Sequence, residues 1–210
     1  MEEKHGVDRR LGESLKELAK KMPFEKITVR QIAEGAGVIR ATFYNHFQDK
    51  YSLLEWILRT EILDPVALLL EHAMFREAIV LIFANMRKDR EFYMRLTYME
   101  GQNSFREVVG LGIRRLLLPV FDVRGKLLEH VWMRSEFLAD YYARSMTFVI
   151  IEWIRTGMVV PPEEMAVAYE YRTTRSMADV VRELRGESPE EAAALSVADA
   201  VEELRNELGS

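Results

Sequence analysis

The chain has 210 residues, 49% of them hydrophobic, no cysteine, and a formal net charge of −5. The absence of cysteine excludes disulfides, thiolate metal sites and a thiol nucleophile, and suits a reducing compartment. The most apolar runs, AIVLIF and TFVIIEWI, fall far short of the roughly 20 residues that span a bilayer. The charged start MEEKHGVDRR has no apolar stretch of the kind that directs export. The expectation is a globular, cytoplasmic protein of one large or two small domains. Charge is uneven along it: residues 1–60 carry 11 Lys and Arg against 9 Asp and Glu, and the other 150 carry 18 against 25. Only the N-terminal piece is a candidate partner for a polyanion.

In chain order, Val7, Leu11, Leu15, Leu18 and Met22 step at helical spacing and predict a first helix that stops before Pro23. Thr28 to Gln31 fits a capping box, opening a second helix whose inner stripe is Ile32, Ala33 and Ala36. Gly35-Ala36-Gly37 breaks it, with Gly37 suited to a left-handed turn. The period resumes at Val38, and a third helix carries Thr42, Phe43, Tyr44 and Phe47. Asp49 is placed to cap a fourth helix with the apolar face Leu53, Leu54, Ile57 and Leu58, and Asp64-Pro65 marks the next entry. From there every periodic segment reads as helix: 65–87, 90–100, 103–121, 126–157 and 162–185. The predicted fold class is all-α, an N-terminal three-helix domain joined to a C-terminal helical bundle. The stretch from Phe137 to Ile154 is apolar almost all round, so it needs cover on two sides, from its own core and from a second subunit.

Two short helices joined through a glycine-containing turn form a helix-turn-helix pattern, in which the second helix enters the DNA major groove. With Val38, Phe43 and Phe47 turned inward, Arg40, Ala41, Thr42, Tyr44, Asn45 and His46 occupy the outer arc, small or hydrogen-bonding and without a carboxylate. Such a surface can lie against base edges and phosphates without repulsion.

The run TVRQIAEGAGVIRATFYNHFQDKYSLLEWI resembles the DNA-binding motif of the tetracycline-repressor (TetR) family without a gap over some thirty residues. The resemblance implies that residues 1–48 bind double-stranded DNA and that 49–186 bind an effector and dimerise. Residues 187–210 then form an acidic extension. It also implies DNA contacts by Thr28, Arg30, Arg40, Ala41, Thr42, Tyr44, Asn45 and His46, with Lys50 on a phosphate. One departure is Ile39, which stands where many members have a Ser or Thr cap. The segment EFLADYYARSMTFVIIEWIRTG with PPEEMA is similar to a subset of that family that includes regulators of dihydroxyacetone-kinase operons, some of them activators.

No chemistry suggests an enzyme or a cofactor. The four histidines, His5, His46, His72 and His130, show no pair at metal-ligand spacing, so no metal site is expected. Gly110-Leu111-Gly112 follows no strand and reads as helix packing, and Glu163-Glu164 and Glu190-Glu191 sit in first helical turns, where acids favour the helix dipole. Large side chains at Tyr98, Phe105, Trp132, Phe137 and Tyr141, with Gln102 and His130 as polar members, can line an effector cavity or simply fill core. A homodimeric repressor responding to a small molecule on a palindromic operator is the leading expectation. A regulator or activator governed by a partner protein is the alternative. Residues 187–210 leave two readings open, a docked helix or a solvated acidic tail.

Overall fold

A computed structural model describes residues 2–99, 101, 104–122 and 134–186, and among them all regular structure is helical. Helix α1 spans Glu2–Lys21 and buries Leu11, Leu15 and Ala19. A 3₁₀ turn at Phe24–Lys26 leads to α2 (Val29–Gly35) and α3 (Arg40–His46). Thr28 caps α2 in a full capping box: its hydroxyl accepts from the Gln31 amide and its own amide donates to Gln31 Oε1 at 2.9 Å. Gly37, at φ 67°, makes the left-handed turn into α3. A Cβ on Gly35 would collide with Ser14 Oγ, which donates to Ile32 O at 2.8 Å and fastens α2 to α1.

Helix α4 (Lys50–Ile57) is capped by Asp49, whose carboxylate accepts from the Ser52 amide at 2.7 Å, as the sequence indicates. Asp64 does not begin a separate helix. The chain passes through a π-helical stretch, Leu58–Leu63, straight into α5 (Asp64–Glu71). Pro65 has no N–H to offer and its ring crowds the carbonyl one turn back, and the wider turn before it absorbs both. The predicted helix 65–87 is also broken. Ala73 takes a left-handed φ of 56°, and α6 (Phe75–Lys88) starts after it.

Helix α7 is short, Arg90–Leu96, and α8 spans Phe105–Phe121 behind its Ser104 cap. Helix α9 spans Ser135–Arg155, packs along α8 and buries Ala139, Ala143, Met146 and Ile150. Phe83 meets Trp153 edge-on at 4.9 Å, and Phe92, Tyr93 and Phe105 form a second aromatic cluster. Arg90 donates to Gly157 O at 3.0 Å, joining the start of α7 to the end of α9.

The chain separates into two compact units, residues 1–166 and 167–210, with the division inside α10 (Pro162–Thr174). In the second unit the predicted continuous helix stops at Thr174, because Ser176 and Asp179 form a new capping box for α11 (Met177–Arg185). Within that unit Glu183 accepts from both Tyr171 and Arg175. Residues 123–133 and 187–210, on which the start of the predicted helix 126–157 and the acidic extension fall, lie outside the described residues. No described helix is long and apolar enough to cross a membrane.

Candidate DNA-binding face and effector cleft

Helix α3 owes its pose to what lies beneath it. Phe43 is fully buried and Phe47 nearly so, with Phe47 edge-on to Trp56 of α4 at 5.9 Å. Arg40, Ala41, Tyr44 and Asn45 are exposed on the other side, and Thr42 is half-buried. Arg40 lies over the Tyr44 ring, 5.3 Å from its centroid, and donates to the Tyr44 hydroxyl at 3.1 Å. The pair holds a cation and a hydroxyl at one fixed point of the surface. No side chain caps the start of α3 at Ile39. On α2, Arg30 is exposed and donates to Glu34 at 2.7 Å, beside the exposed Thr28.

Two residues expected to touch DNA are turned to other partners. His46 Nδ1 lies 2.6 Å from Asp8 Oδ1, both side chains almost buried, so the last residue of α3 is fastened to α1. Lys50 directs its ammonium at the backbone, donating to the carbonyls of Phe24 and Glu25 at 2.8 Å and of Ile27 at 3.0 Å. It also lies over the Phe24 and Tyr51 rings. Burial lowers its pKa below the ordinary lysine value, against the opposing charges of Glu25 and Asp49. Three carbonyls take all three protons of an ammonium, so Lys50 pins the 3₁₀ turn to α4 and is not presented to a phosphate.

Behind the helix-turn-helix, Lys16 of α1 is buried and its Nζ reaches Glu13 at 2.8 Å, Glu61 of the π-helical stretch at 3.1 Å and Asp89 at 3.0 Å. This cluster escaped sequence reading, yet Asp8 and Lys16 do leave a trace. Both are charged residues at inward positions of the α1 stripe, where a polar side chain requires a partner.

Those of the expected effector residues that are described do not share one setting. Tyr98 is 79% exposed, whereas Phe105 is 1% exposed and packs on Tyr93 in the core. Phe137 and Tyr141 stand on the outer face of α9. Gln102, His130 and Trp132 lie outside the described residues. A cleft of about 880 Å³ opens elsewhere, between the end of α3, α4, the π-helical stretch, α5 and α8. Phe47, Trp56, Leu63, Leu70, Val108 and Leu116 give it an apolar lining, and Ser52, Glu55, Arg59, Asp64, Glu71 and Arg115 a polar one. Arg115 pairs with Glu55 across it, and Arg59 lies 4.0 Å from Asp64. His46 lines the same cleft. An occupant would therefore touch the end of α3 directly.

Residues 13–57 match the family described as bacterial regulatory proteins, tetR family. Residues 75–171 match one described as transcriptional regulator C-terminal region. The chain is 22% identical over 149 residues to the HTH-type dhaKLM operon transcriptional activator DhaS of Lactococcus lactis, covering 70% of this chain and 79% of that protein. It is 26% identical over 191 residues to the HTH-type transcriptional repressor KstR2 of Mycobacterium tuberculosis, covering 78% and 90%. Among solved structures it is similar in fold to the dihydroxyacetone kinase operon activator DhaS, with a TM-score of 0.54 at 21% identity over 78% of this chain and 91% of that one. It is similar also to NalD, the secondary repressor of the MexAB-OprM multidrug efflux pump in Pseudomonas aeruginosa, with a TM-score of 0.57 at 17% identity over 83% and 97%. With the helix-turn-helix in one matched region and most of the bundle behind it in the other, the chain belongs to the tetracycline-repressor family and is a non-enzymatic, DNA-binding regulator of transcription.

Proposed function

We propose that the protein is a cytoplasmic homodimeric repressor that binds a palindromic operator and releases it when a small molecule occupies the cleft beside α3. DNA binding falls to residues 1–48, effector response and dimerisation to 49–186, with 187–210 as an appendage. The observation that carries the reading is the exposed row on α3, fixed from beneath by Phe43 and Phe47 and at its end by His46. Arg40, Thr42, Tyr44 and Asn45 are the side chains offered to base edges, Ala41 permits close approach, and Thr28 and Arg30 meet the backbone. Arg40→Ala should cost about 1 to 3 kcal/mol on the operator and far less on scrambled DNA, if the guanidinium pairs bidentately with a guanine. Fluorescence anisotropy on both duplexes, with an operator first selected from a random pool, measures this. An equal loss on both would make Arg40 a phosphate contact.

Dimerisation is supported by α9, where Phe137, Tyr141 and Phe148 are exposed at spacings of four and seven and so share one face. Two recognition helices reach successive major grooves only when held about 34 Å apart, and such an apolar face can hold them there. Phe148→Glu should yield a monomer near 24.5 kDa by sedimentation at micromolar concentration, with operator affinity lost in parallel. A variant that stays dimeric would move the interface elsewhere.

An effector acts by its differential affinity for the dimer whose helix spacing does not fit DNA. The relatives include a named activator and named repressors, and the sign of regulation is read by placing the operator upstream of a reporter. The open cleft favours a small molecule over a protein partner. Thermal stabilisation by a small molecule alone supports that choice.

A further inference from the structure

The cleft has a charge balance that selects among ligands. Among the described lining residues both guanidinium groups already face a carboxylate: Arg115 pairs with Glu55, and Arg59 lies 4.0 Å from Asp64. Glu71, exposed in the same lining, has no ion-pair partner among the described residues. Among its described residues the lining thus carries one carboxylate more than its cations answer. Its apolar part includes three aromatic rings, Phe47, Trp56 and Phe75, the last about half exposed at the opening. Aromatic faces attract cations and repel anions, so rings and surplus carboxylate favour the same sign of ligand charge. Arg115 and Glu55 are largely in solvent, where an ion pair contributes little and yields readily to a competitor.

Accepting the cleft as the effector site, we infer that its ligand class is the hydrophobic organic cation: a bulky apolar body with one delocalised or shielded positive charge. The body fills the space between Trp56, Leu63 and Leu116, and the charge faces Glu71 at the rim with the rings around it. Because His46 and Phe47 belong to the same lining, a bulky body there presses on the segment that ends α3.

Tetraphenylphosphonium and tetraphenylborate share a shape and differ in sign, and triphenylphosphine oxide is a neutral companion. Binding of each to the full-length protein is measured by calorimetry and by quenching of Trp56, with Trp56→Phe locating the signal. Tetraphenylphosphonium should bind at least about tenfold more tightly than tetraphenylborate, since ring and carboxylate effects add. Glu71→Gln, a change at an exposed position, should weaken the phosphonium about threefold or more, as removal of one rim charge requires. Arg115→Ala should act the other way and tighten it, because Glu55 is then released to the ligand. Tetraphenylborate binding as well as the phosphonium, or Arg115→Ala weakening the phosphonium, overturns the cation assignment while the cleft remains a ligand site. Failure of all three probes to bind or to quench Trp56 overturns the cleft as effector site, and the ligand class with it.

Discussion

Lys16→Met should lower the free energy of unfolding by about 3 kcal/mol, as when one partner is taken from a buried ion cluster. The Lys16 side chain is 6% exposed, while Glu61 and Asp89 keep 33% and 27% of their surface, which places the loss at the lower end for such clusters. Burial alone would pull the lysine pKa down; hydrogen bonds with Glu13 and Asp89 and the charge of Glu61 outweigh it and hold it above the ordinary 10.5. A lysine raised in the folded state contributes fully below its unfolded pKa and loses that contribution only as pH climbs through the folded one. The cluster therefore stays intact across the neutral range. Burial raises Glu61 above 4.5, so the folded chain takes up a proton there before the unfolded chain does. A protonated Glu61 needs no cation, and the penalty of Lys16→Met should shrink as pH falls towards 4.5. Urea titrations of both proteins at neutral pH and at the acid end check this. A penalty independent of pH would assign the loss to the packing of the lysine stem.

Lys50→Ala should cost about 2 kcal/mol of stability, the scale of hydrogen bonds from a charged donor to partly buried carbonyls. It should leave the salt dependence of DNA binding unchanged in slope, because no phosphate contact is removed. Thermal melts and anisotropy across a salt series separate the two quantities. A slope reduced by about 1 per subunit, with the melting temperature unchanged, would restore Lys50 to the phosphate backbone.

These two lysines show where sequence reading succeeds and where it stops. The helix-turn-helix was legible because its signals are local: the Thr28–Gln31 box, the left-handed Gly37 and the Asp49 cap each act within three or four residues. The burial of Phe43 and the outward placement of Arg40 and Tyr44 follow from helical period alone. What a long side chain does with its end is not local. Lys50 meets carbonyls 23 to 26 residues earlier, and His46 meets Asp8 on another helix. The break at Ala73 has no glycine or proline to announce it, since EHAMF is a respectable helical sequence and only packing around it imposes the left-handed residue. The Ser176–Asp179 box was visible in the sequence but lay inside an apparently unbroken period. The cleft collects side chains from His46 to Val120, and no periodicity within one helix encodes their meeting.

The wide turn at Leu58–Leu63 also fixes a phase. A regular helix advances about 100° per residue, so a stretch that holds one residue more per turn rotates all that follows it against all that precedes it. Before it lie Phe47 and Trp56, at its end lies Leu63, and after it lie Ala67 and Leu70, all on the same cleft wall; Glu61, within it, faces Lys16 instead. Thr60 donates its hydroxyl to the Trp56 carbonyl at 2.8 Å, giving the loosened turn a further bond. Winding Leu58–Leu63 as regular α-helix with every residue kept would swing Ala67 and Leu70 about a quarter-turn off that wall, whereas deleting Thr60 would let the helix run on regularly and leave them facing it. In this chain it is regularity at constant length that would dismantle the cleft, and the irregular turn is the gearing that lets one continuous rod face two ways.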